Sequence, residues 1–175
     1  MMMKMLSAGG LPIVTDGVRV ADESNPEGYF ELEAVKDLDK NADRRWLRGA
    51  PGHGVKILSP LLASLPDSYN YSVIYMLRHL REVIASQDAM LTRAGEPTQI
   101  TPLESLIAEY EAHLRRTRAM LVNRPCFDTL FVDYADAITA PHDVAERVNV
   151  FVGGLDVERM AAAVNSGLYR QRQRS

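Results

Sequence analysis

A short apolar run that leads directly into an amphipathic helix constrains the fold of this chain more than any other feature. Residues 72–77 are mostly apolar, as in a strand that is buried on both faces of a parallel sheet. The segment that follows has apolar or neutral side chains along one helical stripe, namely Leu80, Val83, Ile84, Gln87 and Leu91. A strand, a tight turn and a helix in this order predict an α/β fold.

Similar signals recur along the rest of the chain. Further strands are predicted at residues 11–15, 55–58 and 129–134. Further helices are predicted at the N-terminus, at residues 29–38, from Pro102 with Thr101 as its cap, and at residues 141–152 and 157–164. This alternation predicts a three-layer fold in which helices flank a mostly parallel sheet.

Length and composition limit the organisation of the chain. Its 175 residues suit a single domain over residues 1–175. Residues 41–54 hold three arginines and three glycines without periodicity, and we expect them to form a mobile loop. Twenty basic against 23 acidic residues give a net charge of −3, which excludes general nucleic-acid binding as the basis of function.

Compartment and metal content follow from a few residue types. No apolar run approaches the roughly 20 residues that span a bilayer, so we expect no membrane insertion. The single cysteine, Cys126, cannot form an internal disulfide, which favours a reducing, cytoplasmic location. His79, His113 and His142 are too scattered to predict a metal site.

Ligands of parallel α/β sheets bind beyond the carboxyl ends of the strands. Residues 77–79, 58–59 and 133–134 occupy such positions. Arg78 ends the apolar strand and opens a helix, where its guanidinium and the free helix amides would together bind a phosphate. Ser86 follows two turns later. On the residues alone, a surface ion pair for Arg78 and a tolerated helix edge for Ser86 are the favoured explanation, because arginines are common at strand ends.

Four segments in the same order resemble the sulfotransferase family. The run VIYMLR at residues 73–78 with Ser86 is similar to the family's site for the 3′-phosphate of 3′-phosphoadenosine 5′-phosphosulfate. NPEGYFE at residues 25–31 is similar to the NPxGYFE segment, and LFVDYAD at residues 130–136 to a strand followed by a tyrosine and an acid. Residues 141–153 resemble the helix that ends in phenylalanine, leucine and glycine.

The resemblance implies a fold and a reaction. The fold would be that of the P-loop nucleoside triphosphate hydrolases, and the reaction would transfer a sulfuryl group from that nucleotide to a hydroxyl or amine without a metal. Arg78 and Ser86 would bind the nucleotide, and Arg170 and Arg172 of the basic C-terminal segment would add charge at its 3′-phosphate.

The sequence departs from the family in two places. The family's first strand and phosphosulfate-binding loop have no counterpart, so we expect either a fragment of a longer chain or a remnant fold without transfer activity. The family also has a catalytic histidine in a Lys-Thr-His-Leu-Pro segment, and the similar KILSP at residues 56–60 has Leu58 in its place. A general base would therefore come from elsewhere.

Three residues are candidates for catalysis. Glu31 follows two aromatic residues, whose apolar surroundings are expected to raise its pKa into the range of a base; the alternative is a carboxylate that stabilises a helix start. His53 is a second base candidate or a solvated loop histidine. Lys56 would neutralise charge on the sulfonate, or is a surface lysine at a strand edge.

A different class of function stays open from the sequence. A sheet that lacks its first strand would expose an edge and apolar surface, which proteins often cover by association. The alternative to a sulfotransferase is therefore a non-catalytic binding or assembly module, including a homo-oligomer formed through that edge.

Overall fold

The computed structural model describes residues 1–19, 28–40, 44–95 and 101–165. Within these ranges the α-helices are α1 (Met2–Ala8), α2 (Glu33–Lys36), α3 (Leu80–Ala94), α4 (Leu103–Asn123), α5 (Tyr134–Thr139), α6 (Pro141–Val152) and α7 (Val157–Ala162). The strands are β1 (Tyr71–Leu77) and β2 (Phe127–Asp133). Two 3₁₀ helices, Arg45–Gly49 and Ser59–Ser64, precede β1.

A parallel pair of strands forms the sheet. β1 and β2 run in register from Tyr71 opposite Phe127 to Leu77 opposite Asp133. Helices α3 and α4 lie between the two strands along the chain, as parallel strands require a long crossover. The predicted α/β class and parallel pairing are confirmed.

The sheet separates two apolar clusters because successive side chains of a strand point to opposite faces. Ile74 of β1 and Val132 of β2 pack with buried residues of α1, α6 and α7. Tyr75 of β1 and Phe131 of β2 pack instead with a second cluster, which includes Leu121 of α4 and residues of both 3₁₀ helices. Helical layers therefore cover both faces of the pair.

The strands predicted at residues 11–15 and 55–58 meet at a single point. Ile13 and Gly54 form an isolated parallel bridge, in which Gly54 donates to the Pro12 carbonyl (2.8 Å) and Val14 donates to the Gly54 carbonyl (2.9 Å). Pro12 has no N–H with which to extend the ladder. The approach at Gly54 is close, since a Cβ there would lie 2.7 Å from Cδ1 of Ile13 and the end of that side chain would have to shift. The two segments are thus neighbours without forming regular strands.

Other differences from the prediction are local. Helix α2 begins at Glu33, four residues later than predicted, and α4 begins at Leu103 after Pro102 without a capping bond from Thr101. Helix α5 follows β2 directly and was not predicted. Part of the predicted loop at residues 41–54 forms the first 3₁₀ helix, Arg45–Gly49, while residues 41–43 lie outside the described ranges.

Candidate functional site

Two of the predicted strand ends meet at the carboxyl edge of the sheet. Leu77 pairs with Asp133, so the residues that follow them, Arg78 and Tyr134, are neighbours. The guanidinium carbon of Arg78 lies 4.9 Å from the centroid of the Tyr134 ring. This cation–π contact holds the arginine over the end of the sheet.

A buried carboxylate also contacts Arg78. Its Nε lies 3.3 Å from Oε2 of Glu82, whose side chain is only 6% exposed. Glu82 and Ser86 are four residues apart on α3 and therefore lie on the same side of that helix. We refer to Arg78, Glu82, Ser86 and Tyr134 as the Arg78 group. An anion that binds Arg78 has to compete with Glu82 for the guanidinium.

The start of α3 lies beside Arg78. The helix is 15 residues long and begins at Leu80, and the side chain of the preceding residue, His79, makes no capping hydrogen bond within the described chain. The first amides of a helix lack intrahelical acceptors and carry partial positive charge. Backbone amides and a guanidinium thus face the same edge of the sheet, which is an arrangement suited to a phosphate.

Two of the three catalytic candidates, Glu31 and Lys56, lie together in a second group of polar residues. Nζ of Lys56 donates to Oε1 of Glu31 (3.0 Å) and to the carbonyl of Tyr29 (3.1 Å). Nη1 of Arg19 lies 3.2 Å from both carboxylate oxygens of Glu31. Its guanidinium carbon also lies 3.5 Å from the centroid of the Tyr29 ring. We refer to Arg19, Glu31 and Lys56 as the Glu31 group.

A left-handed residue brings the two acceptors of Lys56 together. Phe30 has a φ of 52°, which is uncommon for a residue with a Cβ. It turns the chain between Tyr29 and Glu31, so that the carbonyl of the one and the carboxylate of the other both reach Nζ of Lys56. The Oγ1 of Thr15 donates to the Glu31 carbonyl (2.9 Å) and fixes the turn from the other side.

The expectation of a raised pKa at Glu31 is wrong. Burial does raise the pKa of this carboxyl, but the hydrogen bonds and positive charges of Lys56 and Arg19 outweigh burial and lower it below its ordinary value. Glu31 is therefore a stable carboxylate at neutral pH and a weakened base. Its geometry suits a residue that positions Lys56.

The Glu31 group is expected to make stability depend on pH. Because the pKa of Glu31 is lowered in the folded state, its contribution is present above the ordinary pKa and is lost as the pH falls through the folded value. At pH 7 we expect Glu31→Gln to lower the free energy of unfolding by about 1 kcal/mol, since partly exposed cations limit the gain. In strongly acidic solution the free energies of unfolding of wild type and Glu31→Gln should become equal.

Urea unfolding followed by circular dichroism across that pH range measures this effect. Glu33→Gln is the matched control, because Glu33 is two residues away, 44% exposed and paired with Lys36. A difference between wild type and Glu31→Gln that stays constant at every pH would contradict the assignment.

The third catalytic candidate, His53, belongs neither to the Arg78 group nor to the Glu31 group. His53 is exposed, and its Nδ1 lies 3.0 Å from the carbonyl of Pro51. This bond places the proton on Nδ1, since a carbonyl can only accept. Arg170 and Arg172 lie outside the described residues.

A histidine for which no catalytic role is predicted contacts the third predicted strand end, at residues 58–59. Nε2 of His113 on α4 is 2.8 Å from Oγ of Ser59 and 3.3 Å from Oγ1 of Thr117. The four-residue spacing of His113 and Thr117 predicts that they lie one turn apart on the same side of a helix. The contact with Ser59 spans 54 residues and leaves no sequence signal.

Helix α4 contacts residues that are close in sequence to each of the two groups. Ser59 follows Lys56 by three residues, so their backbones are at most about 11 Å apart. One turn from His113 along α4, the hydroxyl of Tyr110 donates to Oε1 of Gln87 (2.6 Å), next to Ser86 on α3. Helix α4 therefore contacts Ser59, which follows Lys56 by three residues, and Gln87, which follows Ser86 directly.

No family model, curated protein or solved structure matches this chain. Among the described residues, no helix combines the length and apolar character that crossing a bilayer requires. Those residues also contain no group of three or more His, Cys, Asp or Glu side chains that would hold a metal ion.

Proposed function

We propose that this chain forms the 3′-phosphate-binding part of a sulfotransferase with a P-loop-like fold. The observation that carries the proposal is the place of Arg78, beyond the carboxyl end of β1, over Tyr134 and beside the first amides of α3. Ser86 follows on the same helix at the spacing that the family resemblance leads us to expect. The ligand is 3′-phosphoadenosine 5′-phosphosulfate, or its product adenosine 3′,5′-bisphosphate.

The residues at this site fit a phosphate in part. A guanidinium and helix amides supply charge and donors for phosphate oxygens. Glu82 opposes them, because its buried carboxylate lies 3.3 Å from Nε of Arg78 and would repel an anion. Binding therefore requires Arg78 to share or exchange its acidic partner, which predicts moderate affinity and a gain when Glu82 is neutralised.

The proposed reaction requires a base and a cation near the acceptor. When bound, the nucleotide supplies the sulfuryl group: the acceptor oxygen or nitrogen bonds to sulfur, the bond from sulfur to the phosphate oxygen breaks, and the acceptor proton passes to a base. Lys56, held by Glu31, would neutralise charge on the sulfonate. Transfer also needs a phosphosulfate-binding loop, so we propose it for a chain that carries one.

His113 suits the base role better than the candidates chosen from the sequence. Glu31 is ionised and already bonded to two cations, and His53 lies in an exposed loop. The imidazole of His113 approaches a hydroxyl to 2.8 Å at Ser59, three residues after Lys56. An acceptor hydroxyl in place of that of Ser59 would lie within reach of Nε2.

Calorimetric titration with adenosine 3′,5′-bisphosphate tests the proposed function. We expect binding to wild type and a loss of about 10- to 150-fold in Arg78→Ala, the equivalent of a charged hydrogen bond worth about 1.5–3 kcal/mol. Arg81→Ala is the matched control, because Arg81 lies on the same helix, is 47% exposed and pairs with Glu104. Its affinity should stay within about twofold of wild type.

A second variant keeps the test informative if Arg78→Ala fails to fold. Glu82→Gln removes the competing charge, and we expect it to bind the bisphosphate more tightly than wild type does. Thermal melts would show that each variant is folded. Equal affinities in wild type, Arg78→Ala and Glu82→Gln, or no binding to any of them, would overturn the proposal and favour a binding or assembly module.

A further inference from the structure

Ser59 and His113 form a serine–histidine pair in which the serine has no role in the proposed sulfuryl transfer. Ser59 is the first residue of the second 3₁₀ helix, and His113 lies in the middle of α4. Leu62 of the 3₁₀ helix and Leu121 of α4 both belong to the second apolar cluster, which holds the two elements together. Packing in the core therefore places a serine hydroxyl against an imidazole.

The contact has the length of a well-formed hydrogen bond. Oγ of Ser59 lies 2.8 Å from Nε2 of His113. In the tautomer of His113 that carries its proton on Nδ1, Nε2 accepts the hydroxyl proton of Ser59. A base in this position takes up that proton when the serine oxygen attacks a carbonyl carbon, which is how a hydroxyl becomes a nucleophile near neutral pH.

Two hydroxyls lie near Nε2 of His113, and only one of them is accessible to a substrate. Oγ1 of Thr117 is 3.3 Å from Nε2, but Thr117 is only 5% exposed. Ser59 is half-buried, and its two neighbours in the chain, Leu58 and Pro60, are both exposed. The hydroxyl of Ser59 is therefore the one that a substrate reaches.

The residue before Ser59 indicates the class of substrate. Leu58 is 60% exposed, so a large apolar side chain faces water directly beside the hydroxyl. An apolar acyl group that covers this side chain would gain free energy by removing both surfaces from water. We propose that Ser59 is a nucleophile, activated by His113, which accepts an apolar acyl group from an activated carboxylic ester.

The proposed reaction has two steps. In the first, Oγ of Ser59 bonds to the carbonyl carbon, the bond from that carbon to the leaving oxygen breaks, and the serine proton passes through His113 to the leaving group. In the second, water attacks the same carbon with His113 as the base, the bond to Oγ breaks, and Oγ regains a proton. The products are an alcohol and a carboxylic acid, and neither step involves the proposed nucleotide site.

Hydrolysis of p-nitrophenyl butyrate tests the pair. We expect wild type to release p-nitrophenol faster than buffer does and to carry a butyryl group on Ser59, which mass spectrometry of its peptides locates. His113→Ala should slow the release by about 100-fold, a typical contribution of a general base. Ser59→Ala should lose both the release and the butyryl group. Ser105→Ala is the matched control, since Ser105 is an exposed serine on α4 outside the pair, and its rate should equal that of wild type.

Two further variants keep the test decisive if Ser59→Ala or His113→Ala fails to fold, which circular dichroism shows. Ser59→Cys keeps a nucleophile at this position and should be acylated at residue 59. Thr117→Val removes the buried hydroxyl and should leave the butyryl group on Ser59. Equal rates in wild type and Ser59→Ala, or butyryl groups on lysines instead of residue 59, would overturn the proposal. Failure of the bisphosphate titration would leave this result unaffected.

Discussion

Leu121→Ala is expected to lower the free energy of unfolding by about 2–5 kcal/mol, the range for a large-to-small change in a packed core. Leu121 is 2% exposed, lies on α4 and belongs to the second apolar cluster, which also contains Leu38, Leu47 and Phe127. The alanine leaves a cavity that this cluster cannot close, because its members come from separate elements. For a chain of this length the melting temperature should fall by roughly 5–15 °C.

The next residue along α4 provides the control. Val122 is 79% exposed, and Val122→Ala makes a similar chemical change on the outer side of the same helix. Its effect should stay within about 0.5 kcal/mol, since alanine is the better helix former. Urea unfolding followed by circular dichroism measures both variants. Equal effects in the two would show that α4 does not pack as the structure has it.

The position of α4 matters for the candidate site. This helix carries His113, which contacts Ser59, and Tyr110, which contacts Gln87. Leu121 packs the C-terminal part of the helix against the sheet. It therefore helps to orient His113 and Tyr110, which lie about two and three turns towards the N-terminus of the same helix. Stability and the geometry of the proposed base are therefore coupled through one helix.

The elements that the sequence predicted well are those with local signals. β1 and β2 lie within two residues of the apolar runs at 72–77 and 129–134, and α3 and α6 follow amphipathic stripes. The 3₁₀ helices were missed because they are too short to show a period. The segments at residues 11–15 and 55–58 were predicted as strands from their apolar residues, but strand pairing depends on neighbours as well.

Residues of the candidate site also divide into those with a local sequence signal and those without one. A general property of parallel sheets was enough to select the strand ends at residues 77–79 and 133–134, but the contact of Arg78 with Tyr134 was not predicted. Glu31 and Lys56 were both selected, but their contact spans 25 residues and was not predicted. The direction of the pKa shift at Glu31 was wrong for that reason: its aromatic neighbours are visible in the sequence, whereas its cationic partners are brought in by folding.

Arg124 is expected to be more important to the fold than the acid with which it pairs. Its Nη1 donates to the carbonyl of Ala63 (3.2 Å) and its Nη2 to that of Leu65 (2.6 Å). Its Nε donates to Oδ1 of Asp67 (2.8 Å). The side chain is 22% exposed, whereas that of Asp67 is 77% exposed. The guanidinium thus ties the end of the second 3₁₀ helix to the start of β2.

Arg124→Ala should therefore lower the free energy of unfolding by about 2–4 kcal/mol, since it removes charged hydrogen bonds from two backbone carbonyls. Asp67→Ala should have a much smaller effect, because the carbonyls keep their donor and an exposed ion pair contributes little. Arg124→Lys should fall between them, as an ammonium cannot span both carbonyls and the carboxylate. Urea unfolding of the three variants decides the order. If Asp67→Ala is as damaging as Arg124→Ala, the ion pair rather than the carbonyl contacts holds this segment.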